Sequence, residues 1–120
     1  MKRLLWVPLI VLGVAACGGP AKDATYENAS KLRDAVVAAG TECPGDHADP
    51  SKDGTEDFVK CSANLGLHVF TTDDAMITGK VMMGFTKTPS LQGPRWIIES
   101  TDASALGKLK DKLGGSVVVP

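Results

Sequence analysis

Asp57-Phe58-Val59-Lys60-Cys61-Ser62, a break around Asn64, and Leu67-His68-Val69-Phe70-Thr71 read as two short strands joined by a turn. Val59 and Cys61 fall on one face of the first strand, and Leu67 and Val69 on one face of the second. That is the two-residue period of a strand with one face in a core. Asn64 suits the turn because its side chain tolerates the left-handed backbone and can satisfy nearby backbone groups.

Downstream, Asp73 to Thr86 supports two readings. Thr72 or Asp73 could cap a helix on which Ile77, Val81 and Phe85 recur at four-residue steps. Gly79 and Gly84 each weaken such a helix by roughly 1 kcal/mol, so a hairpin turning at Gly79-Lys80 competes with it; the helix is the preferred reading. Thr88 to Pro94 is expected to be a loop. Arg95 to Ser100 forms a strand centred on Trp96 and Ile98. Thr101 or Asp102 then caps a last helix carrying Leu106, Leu109 and Leu113 inward. Lys108, Lys110 and Lys112 lie toward its C-terminal end, where cations suit the helix dipole. Gly114-Gly115 stops that helix, and Ser116 to Val119 makes a final strand.

Upstream, Thr41 to Asp57 is rich in Gly, Pro, Asp and Ser and is expected to be a loop. Before it, Ala29, Leu32, Val36 and Ala39 make an apolar stripe on a helix from about Thr25 to Ala39. Thr25 or Asp23 is the expected cap and Gly40 the stop, with Glu27, Lys31, Arg33 and Asp34 on the wet side. The resulting order, α-β-β-α-β-α-β, implies an α+β fold: a single two-layer sandwich, its helices packed on one face of a small mixed or antiparallel sheet.

The N-terminus has a different character. Lys2 and Arg3 precede an uncharged run from Leu4 to Ala16, which is shorter than the roughly 20 residues a membrane-spanning helix needs. A basic start, an apolar stretch and small closing residues describe a secretory signal. Val14-Ala15-Ala16-Cys17 resembles the lipobox of bacterial lipoproteins, in which an aliphatic and two small residues precede an invariant cysteine. The resemblance implies cleavage before Cys17 and diacylglycerol on its sulfur; the thiolate is the nucleophile that chemistry needs. An ordinary signal cut after Ala16, leaving Cys17 a plain thiol, is the alternative. Cysteine parity favours the lipid: the chain has three cysteines, and an odd thiol is anomalous in an oxidising compartment. Lipidating Cys17 leaves Cys43 and Cys61 as a pair. Two acyl chains hold firmly where one holds weakly. The expected organisation is a signal peptide over 1–16, the lipidated cysteine and a short spacer over 17–23, and one domain over 24–120.

Composition narrows the function classes. The chain carries 13 basic and 14 acidic residues, and loss of Lys2 and Arg3 deepens the acidic excess. That gives no electrostatic footprint for nucleic acid. Aromatic residues make up only 5%, so a small exported domain of this kind needs a disulfide's help.

Beyond the lipobox, four stretches are similar to a group of small uncharacterised lipoproteins of actinobacteria. They are Lys31 to Cys43 (KLRDAVVAAGTEC), Lys60-Cys61-Ser62, Gly93-Pro94-Arg95-Trp96-Ile97-Ile98 and Leu113-Gly114-Gly115-Ser116-Val117. The resemblance implies membrane attachment and a Cys43–Cys61 pair. It implies no activity, because these are scaffold features.

The remaining constellations are weak. Cys43 and Cys61 lack the C-x-x-C spacing of a redox pair, so a structural disulfide is expected. Asp49, Ser51, Asp53, Gly54 and Asp57 match the first, third, fifth, sixth and ninth places of an EF-hand loop, but Lys60 stands where the bidentate glutamate belongs. A solvated acidic loop is the reading, with weak calcium ligation through Asp49, Ser51, Asp53 and Asp57 as the alternative. His47 and His68 show no zinc spacing. Ser30, Ser62 and Ser104 lack a nucleophile-elbow context. No catalytic residue and no cofactor is assigned. The expectation is a membrane-anchored, extracytoplasmic, non-enzymatic module. Its partners are the bilayer, through acylated Cys17, and an envelope protein or small ligand. The alternative is an envelope enzyme or thiol-redox factor whose site assembles only on folding, for instance by gathering His68 with Asp73 or Asp74.

Overall fold

A computed structural model describes residues 21–120; the leader, Cys17 and the first part of the spacer lie outside the described residues. The elements are α1 (Ala29–Ala38), β1 (Glu56–Ser62), β2 (Leu65–Phe70), α2 (Asp73–Thr86), β3 (Ser90–Gly93), β4 (Trp96–Ser100), α3 (Ala103–Leu113) and β5 (Ser116–Val118). The fold is α+β: three helices and one five-stranded antiparallel sheet in the order β1-β2-β4-β3-β5. The expected element order holds, with one addition. Ser90–Gly93, expected to lie in a loop, is a strand paired with β4 on one side and β5 on the other.

The layering differs from a sheet covered on one face. β2 and β3 both run antiparallel to β4, and β4 and β5 both run antiparallel to β3. Hence α2, between β2 and β3, and α3, between β4 and β5, are each a crossover between parallel strands. Both step the same way across the sheet but depart from strands of opposite direction. Crossovers of a single hand must then pass over opposite faces. The packing follows suit. Leu32, Val36, Leu106, Leu109 and Leu113 of α1 and α3 bury Val59, Leu67, Leu91, Trp96 and Ile98 on one face. Met76 of α2 packs on Phe70 and Ile97 on the other.

α2 settles the helix-or-hairpin question, and it turns its expected stripe outward. Thr72 caps it, its hydroxyl accepting from the Ala75 N–H. Ile77, Val81 and Phe85 are all exposed, whereas Ala75, Met76 and Met83 face the sheet. Gly79 explains the choice. A Cβ there would stand 2.5 Å from Phe70 Cζ, so this glycine, unfavourable in an isolated helix, is the only residue that lets the backbone sit on the ring.

α1 starts later than expected, at Ala29, because Asn28 rather than Thr25 or Asp23 supplies the cap. The preceding segment serves tertiary contacts instead. Asp23 accepts from Gly115 N–H and donates its own N–H to Leu113 O, so it belongs to the domain and not to the spacer. Ala24 O accepts from the indole N–H of buried Trp96 at 2.9 Å, and Tyr26 sits edge-on to that ring. Asp57 Oδ2 accepts from Ala29 N–H, placing an anion at the start of α1. Arg33, expected on the wet side, reaches Cys43 O and Gly45 O and ties down the loop.

That loop also guards the sheet edge. Gly45 N–H, Asp49 N–H and Ser51 N–H donate to Cys61 O, Phe58 O and Glu56 O, so the otherwise open side of β1 is paired. Cys61 lies at a bulge between Lys60 and Ser62 and is bonded to Cys43. Both cysteines are buried in the core. Replacing both by alanine should lower the stability of the domain by about 3 kcal/mol on the loop-closure estimate. Urea unfolding of wild type and double variant measures it, and unchanged midpoints would contradict a stabilising bond.

Candidate functional site

The face of the sheet beneath α2 carries an alternating set of side chains: Glu56 and Phe58 from β1, His68 and Phe70 from β2, Ile97 and Glu99 from β4. Register brings Phe58 opposite His68, and His68 opposite Ile97. Gly66 faces Lys60 and Glu99 across the two ladders, and a Cβ there would lie 3.0 Å from both the Glu99 and the Phe58 side chains. The missing side chain leaves Glu99 room to lean toward His68.

His68 is bracketed by acids. Its Nδ1 lies 2.5 Å from Glu56 Oε2, and its Nε2 is hydrogen-bonded to Glu99 Oε2. The His68 side chain is only 12% exposed, against 36% and 34% for Glu56 and Glu99. With a carboxylate at each ring nitrogen, both nitrogens donate, which requires the imidazolium. Burial, the largest single influence, works against that charge. The hydrogen bonds to Glu56 and Glu99, with their negative charges, together outweigh it and hold the His68 pKa up at about 9 instead of 6.5. The same contact, aided by the His68 and Lys60 charges and opposed by burial, holds the Glu99 carboxyl below the usual range. Phe58, its centroid 4.7 Å away, and the parallel ring of Phe70 flank the imidazolium.

Two hollows open beside this bracket. One of about 490 Å³ runs under α2 past Thr55, Glu56, His68, Asp74 and Met82. The other, about 350 Å³, lies toward the loop, between Pro50, Phe58 and Glu99. A third and larger hollow, about 750 Å³, occupies the far flank of α2, between Thr25–Glu27, Ile77, Lys80 and Arg95. Within it Arg95 adopts a left-handed φ of 58° in the β3–β4 turn. Its guanidinium donates to Asp73 Oδ1 and Thr71 O, which latches the hairpin to the start of α2. The Tyr26 hydroxyl is buried without a hydrogen-bond partner, and burial pushes its pKa up.

The expected site residues are dispersed. His68 meets Glu56 and Glu99, not Asp73, which pairs with Arg95; Asp74 lines the hollow beside His68 without bonding to it. Asp53 closes the tip of the acidic loop, accepting from Ser51 Oγ, Thr55 N–H and Thr55 Oγ. Those hydrogen bonds, led by that from the Thr55 side chain, lower its pKa. Asp57 caps α1. Asp49 and Ser51 join the loop to β1 through their backbone, and His47 is exposed. Among the described residues no group of three or more His, Cys, Asp or Glu side chains is placed to hold a metal ion. Nor is any described helix long and apolar enough to cross a membrane.

The bracket's acids escaped the sequence reading, although strand alternation carried half the signal. Period two puts Glu56 and Phe58 on the face opposite Val59, and His68 opposite Leu67. Glu99 follows only once β4 is known to pair with β2. Chemically the bracket is a fixed cross-strand tie between three strands. A histidine donating from both nitrogens has no lone pair with which to act as a base.

Comparison with known proteins returns no match: no family model, no curated protein and no solved structure is similar to this chain at a significant level.

The bracket fixes a pH dependence. The His68 pKa is raised, so its contribution is complete below about 6.5 and fades as the pH climbs through about 9. Glu99 is lowered, so its contribution is complete above the usual carboxylate range and fades on acidification. Stability should therefore fall by up to about 3 kcal/mol between neutral and alkaline pH. His68→Gln should cost about 2 kcal/mol at pH 6 and abolish that alkaline slope. Thermal melts of both proteins across pH 5 to 10 (roughly the range spanned by these groups) check it. Parallel curves would remove His68 from the explanation.

Proposed function

We propose that this protein is a lipid-anchored, extracytoplasmic module of the bacterial cell envelope, with residue 17 as its anchor and residues 23–120 as a non-enzymatic binding domain. The observation that carries the reading is the cysteine economy. Of three cysteines, Cys43 and Cys61 are consumed by a buried bond, and the remaining one follows a basic, then apolar, then small leader at the lipobox position. The resemblance to small actinobacterial lipoproteins supports the same location. The non-catalytic part of the proposal draws support from His68, whose ring nitrogens are both tied to carboxylates. It also draws on the burial of the disulfide, which keeps a thiol–disulfide exchange partner from reaching either sulfur. The partner on this reading is an envelope protein or small ligand.

The protein isolated from a lipoprotein-processing bacterial host should begin at Cys17, carry diacylglycerol on that residue by intact-mass measurement, and fractionate with membranes. Cys17→Ser should leave the leader uncleaved or release the domain from the membrane. An export product beginning at residue 17 with no acyl mass would overturn the anchor.

A further inference from the structure

α2 is inverted relative to an ordinary surface helix. Toward the sheet it presents Ala75, Met76, Gly79 and Met83. Away from it stand Ile77, Val81 and Phe85, 58% to 83% exposed, with Met82 at 48% on their flank. The four-residue spacing aligns them along one outward ridge more than two turns long. Lys80 and Lys87, both exposed, border it, and Asp73 and Asp74 sit at its N-terminal end. A lone exposed apolar residue needs no explanation, whereas a contiguous ridge does.

We propose that this ridge lies on the surface of the bilayer that holds the anchor, with Ile77, Val81, Met82 and Phe85 entering the headgroup–acyl boundary. The proposal rests on the lipid-anchor reading. Asp23 is the first described residue bonded to the rest of the domain, and the chain from Cys17 to it can span at most about 21 Å. The domain is therefore held against the headgroups whatever its orientation. At such an effective concentration a weak apolar contact suffices to select one face. The N-terminal segment also runs beside α2: Thr25, Tyr26 and Glu27 share a hollow with Ile77 and Lys80. The chain thus passes the N-terminal half of the helix whose apolar side is uncovered before Asp23 fixes it to the end of α3. Lys80 and Lys87 can extend their stems along the ridge and place their ammonium groups among lipid phosphates.

The test uses the mature chain, residues 17–120, made without acylation and joined through the Cys17 thiol to a maleimide lipid in phosphatidylcholine–phosphatidylglycerol vesicles. Cys43 and Cys61 are bonded to each other, so Cys17 alone reacts. Phe85→Trp reports on the ridge, and Val37→Trp, on an exposed position of α1 across the sheet, is the reference; buried Trp96 contributes a constant background. With brominated acyl chains, the F85W emission should shift to the blue and fall roughly twofold, the boundary depth being within reach of the bromines. The V37W emission should not change. Val81→Asp in the F85W background should restore the unquenched signal while leaving the near-ultraviolet circular dichroism of Trp96 intact. Absence of quenching in F85W, equal quenching of both reporters, or persistence of quenching with Val81→Asp would overturn the proposal. So would a lipid-independent blue shift that grows with protein concentration, which would assign the ridge to a second copy of the chain. Because the tether is chemical, this outcome is separate from the acylation mass of the natural product. Either reading can fail without the other's measurement changing.

Discussion

Trp96, Ile97 and Ile98 are three successive residues of β4 with no solvent exposure at all. Successive strand residues point to opposite faces, so this run can be dry only if the sheet is covered on both sides. Most of the architecture answers that requirement. α1 and α3 close over Trp96 and Ile98, and α2 closes over Ile97. β2 and β3 flank the strand on either edge. The indole N–H, which cannot be left unpaired in such a site, draws the N-terminal segment in to offer Ala24 O. The opposite-face crossovers are the topological means to the same end.

This constraint also shows where the sequence speaks and where it is silent. Trp96-Ile97-Ile98 is a continuous apolar run, the mark of a strand buried on two faces. A reading that counts only Trp96 and Ile98 assigns one buried face and stacks every helix on it. β1, β2 and α3 are legible because one period dominates each: Val59 with Cys61, Leu67 with Val69, Leu106 with Leu109 and Leu113. β3 is not, since Ser90-Leu91-Gln92-Gly93 holds a single large apolar residue between two prolines and gains its strand character from the ladders on both sides. In α2 the period was visible but the direction was not. Ile77, Val81 and Phe85 mark a stripe, and only contact between Gly79 and the Phe70 ring determines which way it points. Of the site residues, the Cys43–Cys61 pair was legible from cysteine parity. The acids around His68 depend on register, which no local pattern encodes.

α2 covers its face of the sheet incompletely. It lies over Phe70 and Ile97, and apolar side chains on the strip of sheet beyond it would form an exposed apolar patch. His68, Glu56 and Glu99 occupy that ground. An imidazolium between two carboxylates satisfies both ring nitrogens and spans three strands while keeping the surface charged. Exchanged for apolar residues of similar size, the bracket could stabilise the sheet equally well, but it would then expose a second apolar area beside the ridge on α2.

The two sides of α2 are therefore one problem. Its inner side must be thin, because β2 and β4 bring Phe70 and Ile97 up beneath it and only small or pliable residues such as Ala75, Gly79 and Met83 fit between. A helix so thinly seated gains little from burial. It is held at its first turn by the Thr72 cap and by Arg95, whose bonds to Asp73 and Thr71 join that turn to the β3–β4 hairpin. The pair itself is exposed and contributes little alone; its value is positional, and it holds Arg95 in a left-handed conformation that costs a non-glycine residue about 1 kcal/mol. With its seat fixed at one end and shallow along its length, α2 carries its largest apolar side chains where the fold has no use for them. Their burial must then come from outside the domain or not at all.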